Sequence, residues 1–119
     1  MSNRGRFLAY LRHYSHRDLE RVSAMFADDV TLRDWNISVS GKAAAVAETS
    51  RNFESCQSIE IQALGIFEGS DTAAGELRIV VDGKIELHVV DVISFDPDGK
   101  IKSIRAYLGR GDDQGMEEE

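Results

Sequence analysis

Along the first part of the chain the apolar positions recur with a helical period. Phe7, Tyr10, Leu11 and Tyr14 are spaced i, i+3, i+4 and i+7 and share one face. Arg6, Ala9, Arg12, His13 and Arg17 lie mostly on the other. This predicts an amphipathic helix over about Ser2 to His16. Asp18 has the chemistry of an N-cap for a short second helix that buries Leu19, Val22 and Met25 or Phe26. Asp28-Asp29 is expected to end it, and "VTLRD" follows as a short strand. A loop holding Asn36, Ser38, Ser40 and Gly41 leads to an alanine-rich third helix, "KAAAVAETSRNFES".

Beyond that helix the period changes from 3.6 to 2. Four strands are predicted: Ser58–Phe67, Thr72–Val81, Lys84–Phe95 and Lys100–Leu108. The breaks are Gly69-Ser70-Asp71, Asp82-Gly83 and Pro97-Asp98-Gly99. Asp-Gly between two apolar runs is a two-residue hairpin signal, and Pro-Asp-Gly is a turn in which each residue has a backbone reason. Helices first and an antiparallel sheet after give an α+β domain, with the helices packed on one sheet face.

The 119 residues, 42% of them hydrophobic, suffice for one domain with an ordinary core. That domain is expected over residues 1–110. Residues 111–119, "GDDQGMEEE", read as a disordered acidic tail. The net charge of −7 and the lack of a basic stripe argue against a nucleic-acid binder. No stretch approaches the roughly 20 apolar residues of a membrane span. The N-terminus lacks the apolar run of a signal peptide, and Cys56 is the one cysteine, so a reducing, cytoplasmic setting is expected.

Strand parity singles out the acids, because successive side chains point to opposite faces. In "VTLRD", Val30, Leu32 and Asp34 share one face. In "HVVDVISFD", Val89, Asp91, Ile93 and Phe95 share the more apolar face. Ile104, Ala106 and Leu108 form an apolar row on the last strand. Two carboxylates and Tyr10 therefore point toward the interior. An ionised carboxylate out of water is costly, and it neutralises by a raised pKa unless it is paired. Asp91 is thus an edge residue facing water, half of an ion pair, or an acid kept protonated for a purpose.

Other candidates carry less. His13 and His16 are i, i+3 on a helix, but no third metal ligand stands near. His88 faces away from Asp91 by parity. Cys56 has no histidine or second cysteine at motif spacing and reads as packing. Gly41 and Gly83 read as turn glycines without a phosphate-loop context. Trp35 is either core or cavity lining.

"FADDVTLRD" and "VVDVISFDPDGKIKSIRAYLG", with a tyrosine on the first helix, resemble the ketosteroid isomerases of the NTF2-like (SnoaL-like) superfamily. The resemblance runs from about Phe7 to Gly109. It implies a cone of three helices on a curved antiparallel sheet around an apolar cavity, commonly as a homodimer. It implies Asp34 as the general base, with Tyr10 and a protonated Asp91 as oxyanion donors. That family is a known case of a carboxylic acid held neutral by an apolar site. Tyr14, Trp35, Val89, Ile93, Phe95 and Leu108 are the expected surroundings of the substrate. The implied substrate is an apolar small-molecule ketone, a steroid among the candidates, with no cofactor and no metal. The chain departs from the family at Trp35, where proline is frequent. It also departs at Phe26 and Thr49, where some members carry supporting tyrosines.

Three functions compete. One is a Δ5-3-ketosteroid isomerase, marked by the set Tyr10, Asp34 and Asp91. Another is a SnoaL-like polyketide cyclase, or a related enzyme acting on an enolisable substrate with Asp34 as acid and base. The last is a non-catalytic binder of hydrophobic small molecules on the same fold. Arg33 beside Asp34 also suggests the Asp-Arg-Asp set of limonene epoxide hydrolases. Strand neighbours point to opposite faces, which weakens that reading.

Overall fold

The computed structural model describes residues 1–111; the acidic tail expected from the sequence lies, apart from Gly111, outside the described residues. Helix α1 spans Asn3–Ser15, with Ser2 Oγ accepting the Gly5 amide at 2.9 Å as its N-cap. Its buried residues include Phe7, Tyr10 and Leu11, as the spacing predicts. Asn3 ties its first turn to the sheet: Nδ2 donates to the carbonyls of Gly69 at 3.3 Å and Ser70 at 3.0 Å. Helix α2 spans Leu19–Met25, capped by Asp18, which accepts from the Arg21 amide at 3.1 Å. Helix α3 spans Lys42–Glu54 and buries Ala45, Thr49 and Phe53 on one stripe.

Six strands follow the order β2-β1-β6-β5-β4-β3, with β1 Phe26–Arg33, β2 Ser38–Ser40, β3 Ile59–Glu68, β4 Thr72–Val81, β5 Ile85–Phe95 and β6 Ile101–Leu108. The hairpins β3–β4, β4–β5 and β5–β6 are antiparallel. Asp82 and Gly83 take φ of 55° and 68°, the positive pair that a tight hairpin turn requires. Three features differ from the sequence reading. β1 lies parallel to β6, so the sheet is mixed and not wholly antiparallel. β2 occupies part of the segment expected to be loop, paired to β1. Asp28 and Asp29 do not end α2; they sit exposed within β1, where the register with β6 shifts. The parallel pairing has a physical reason. A hairpin is announced by its own turn residues, whereas β1 meets β6 across some seventy residues with no local signal.

The helices cover one face of this sheet, α1 over β3 and β4, α3 over β1 and β2. Parity holds on β5: Val89, Asp91, Ile93 and Phe95 are all buried. Among the described residues no helix is long and apolar enough to cross a membrane.

One contact sets how closely α1 approaches the sheet. Gly75 on β4 pairs directly with Asp91 on β5. A Cβ at Gly75 would lie 2.6 Å from Cζ of Phe7, which is fully buried. The missing side chain is therefore the seat of the Phe7 ring, and Tyr10 follows one turn later on the same helix face. Gly75→Ala is expected to overpack this seat and cost about 1–3 kcal/mol. Chemical denaturation of the two proteins measures it; an unchanged midpoint would contradict this packing.

Candidate active site

A cavity opens between α1, α3 and the covered face of the sheet. About 90 Å³ of it is open to the centre of a water molecule, several times what one water needs. Tyr10, Tyr14, Asp34 and Asp91 all line it. Leu32, Ile61, Leu77, Ile79 and Ile104 supply apolar walls. The four polar groups reach it from three elements: α1, the end of β1, and β5.

Asp34 sits just after β1, half-buried. Its Oδ1 accepts the amides of Asn36 at 2.7 Å and Ile37 at 2.9 Å, and its own amide donates to the Ile37 carbonyl at 2.9 Å. This side-chain turn is a habit of aspartate. It holds the carboxylate at the cavity and leaves Oδ2 without a protein partner among the described residues.

Asp91 is 9% exposed, with Val89 and Ile93 flanking it on the same face. Burial, with a contribution from the negative charge of Asp34, pushes its carboxyl up to about 7. Tyr10 is 5% exposed, and burial, Tyr14 and Asp91 raise its phenol well above the ordinary value. Among the described residues neither the Tyr10 hydroxyl nor the Asp91 carboxyl makes a hydrogen bond, yet no buried polar side-chain atom is sealed off unpaired. Both groups thus face the cavity as unused hydrogen-bonding capacity.

Tyr14 stands beside Tyr10, ring centroids 5.7 Å apart, and edge-on to Phe53 at 4.8 Å. Burial pushes its phenol up to about 12, against the opposing pull of the hydrogen bond from Asn52. Phe26 is core, and the Thr49 hydroxyl turns back to the Ala45 carbonyl at 2.9 Å. Neither stands behind Tyr10 as a hydrogen-bonding partner.

The remaining expected surroundings do not line this cavity. Trp35 is 43% exposed and lies in a shallow outer groove with Arg33, Tyr107 and Leu108. The turn closed by Asp34 carries it out of the strand direction. Leu108 is 46% exposed. It pairs with Val89, but β1 ends at Arg33 and leaves that end of β6 uncovered. Ile93 and Phe95 belong to the packed core with Phe7, and Val89 is buried beside a separate surface hollow. Conversely, Ile37, Glu48, Thr49 and Asn52 line the cavity without having been singled out. Glu48 and Asn52 flank the Ala45–Thr49–Phe53 stripe, and that i, i+4 pattern was the available signal. His88 points to the outer face, 3.3 Å from Glu86, which also holds Arg78 at 2.7 Å. Among the described residues no cluster of three or more His, Cys, Asp or Glu could hold a metal ion.

A family model described as SnoaL-like domain matches residues 7–104. The chain belongs to the SnoaL-like family. No curated protein matches it significantly. Among solved structures it is similar to an NTF2-like protein of unknown function from Cytophaga hutchinsonii ATCC 33406, at 12% identity and a TM-score of 0.76, covering 92% of this chain and 91% of that one. It is also similar to the epoxide hydrolase/cyclase-like enzyme SalBIII of pyran ring formation in the polyether salinomycin, at 20% identity and a TM-score of 0.79, covering 90% of each. The fold of this SnoaL-like domain is therefore NTF2-like: three helices on a curved, mixed, six-stranded sheet.

The raised Asp91 makes stability depend on pH. Its folded value, about 7, exceeds its unfolded one, so the folded state holds a proton that the unfolded state releases. The contribution is full below about pH 4 and is lost as pH rises through about 7, with a span on the order of 4 kcal/mol. Asp91→Asn, which cannot ionise, should flatten the melting temperature between pH 4 and 7.5. An equally steep decline in that variant would assign the slope to other groups.

Proposed function

We propose that this SnoaL-like domain is a proton-transfer enzyme of the ketosteroid isomerase type. It moves a double bond into conjugation through a dienolate. The observation that carries the reading is the set Asp34, Tyr10 and Asp91 on one largely apolar cavity, with the Tyr10 hydroxyl and the Asp91 carboxyl free of hydrogen-bond partners among the described residues. In this mechanism Asp34, through Oδ2, takes the α-proton of a β,γ-unsaturated ketone. The electron pair of that C–H bond moves toward the carbonyl, and the oxygen becomes anionic. Tyr10 and protonated Asp91 donate to that oxygen. Asp34 then returns its proton to the γ-carbon, and the enone is conjugated. The apolar walls strengthen both donations by excluding water.

A second reading draws on the likeness to SalBIII. The same two acids, one giving a proton and the other taking one, suit ring formation from an epoxide. Asp91 would protonate the epoxide oxygen as its C–O bond breaks. Asp34 would take the proton of the internal hydroxyl that forms the new C–O bond.

An ultraviolet assay on a Δ5-3-ketosteroid separates them. Asp34→Asn should lower turnover by about 10²–10⁴ and Tyr10→Phe by about 10²–10³. Wild-type turnover should fall as pH rises through about 7, where Asp91 loses its proton, and Asp91→Asn should lack that limb. Full activity in Asp34→Asn would sink the base assignment. No steroid conversion, with turnover of an epoxy-alcohol instead, would favour ring formation.

The reading includes a homodimer. Phe67, Val90 and Tyr107, 69%, 40% and 48% exposed, stand on the sheet face away from the helices and suit a second copy. Sedimentation equilibrium should give twice the chain mass, and Val90→Glu should shift it toward monomer. A wild-type monomer at high concentration would count against the pairing.

A further inference from the structure

The side that α3 gives to the cavity carries polar groups toward its rim, where Asn52 is exposed and Glu48 half-buried. Glu48 and Asn52 stand four residues apart on one side of α3, and both line the cavity beside Tyr14. The Glu48 side chain is only 20% exposed. Its Oε2 accepts from Arg51 Nη1, and its Oε1 has no hydrogen-bond partner among the described residues. Asn52 Nδ2 donates to the Tyr14 hydroxyl oxygen at 3.2 Å, and Oδ1 is likewise without a partner there. That bond fixes what Tyr14 can offer. Its oxygen accepts from Asn52, so its own proton is available to the cavity. Thr49, between them, is committed to the Ala45 carbonyl and takes no part.

The wall thus presents two acceptors, Glu48 Oε1 and Asn52 Oδ1, and two donors, the Tyr14 proton and the second N–H of Asn52 Nδ2. A hydroxyl group is their complement, since it donates once and accepts. An ether or ketone oxygen cannot satisfy the Glu48 carboxylate oxygen or the Asn52 carbonyl oxygen, and an ammonium cannot accept from Tyr14.

We infer that Glu48, Asn52 and Tyr14 form a second recognition subsite, and that the substrate is a ketone bearing a hydroxyl group seated against α3. The inference rests on the proton-transfer reading, because that reading places the carbonyl at Tyr10 and Asp91. It narrows the substrate class from apolar ketones to hydroxylated ones. Glu48 and Asn52 are specificity residues in this arrangement. They hold the far group and leave the proton transfer to Asp34.

Fluorescence titration with naphthols tests it without turnover. 2-Naphthol mimics the dienolate through its single hydroxyl. A set of dihydroxynaphthalenes adds a second hydroxyl at different ring positions, and their mono-methyl ethers remove its proton. At least one dihydroxy isomer should bind about tenfold tighter than 2-naphthol, and its methyl ether should show no gain. In Asn52→Leu and in Glu48→Gln, which keeps the shape of the side chain, the ratio of the two affinities should fall to within about twofold of one. Binding of 2-naphthol with no gain from any second hydroxyl would overturn this inference alone, as would a gain that persists in both variants. No binding of 2-naphthol by the wild type would overturn the proton-transfer reading, and this inference with it.

Discussion

The site depends on keeping one carboxyl group away from water. Asp91 lies on the covered face of β5 between Val89 and Ile93, and its raised pKa follows first from burial and then from the charge on Asp34. A carboxyl at the surface would be ionised at neutral pH and could only accept hydrogen bonds. Inside the cavity, with its carboxyl pushed up to about 7, it can hold a donor proton.

That burial is assembled from elements far apart in the chain. Gly75 faces Asp91 across the β4–β5 ladder, and its missing side chain admits the Phe7 ring. Phe7 seats α1, and α1 then delivers Tyr10 and Tyr14 to the cavity. Asn3 pins the start of the same helix to the β3–β4 turn. Packing and chemistry are therefore coupled along α1: the ring that fills the core also sets the depth of the phenol beside it.

Asp34 is positioned differently. No core contact holds it; two amides of its own turn do. That turn also carries Trp35 outward, so the residue after Asp34 leaves the cavity and joins the outer groove beside Tyr107 and Leu108. Opposite, α3 contributes Glu48, Thr49 and Asn52 and no aromatic rings to the cavity. It leaves space there and lines it with hydrogen-bonding groups.

Period and parity alone determined the helix α1 and its buried face, the three hairpins of β3 to β6, and the inward direction of Asp34 and Asp91. These are properties of neighbours within a few residues, and local backbone geometry dictates them. Resemblance to known proteins gave the cone, and the family match and the likeness to solved structures bear out the fold at that level. What the tertiary structure decided was everything that depends on distant partners. The parallel pairing of β1 with β6 has no turn to announce it. The extent of helix cover decides that Leu108 is exposed while Val89, its partner across the ladder, is buried. Facing inward is a property of the strand, but lining a cavity is a property of what the helices leave unfilled. For that reason Ile93 and Phe95 became core, and Glu48 and Asn52, unremarkable on the sequence, became a wall.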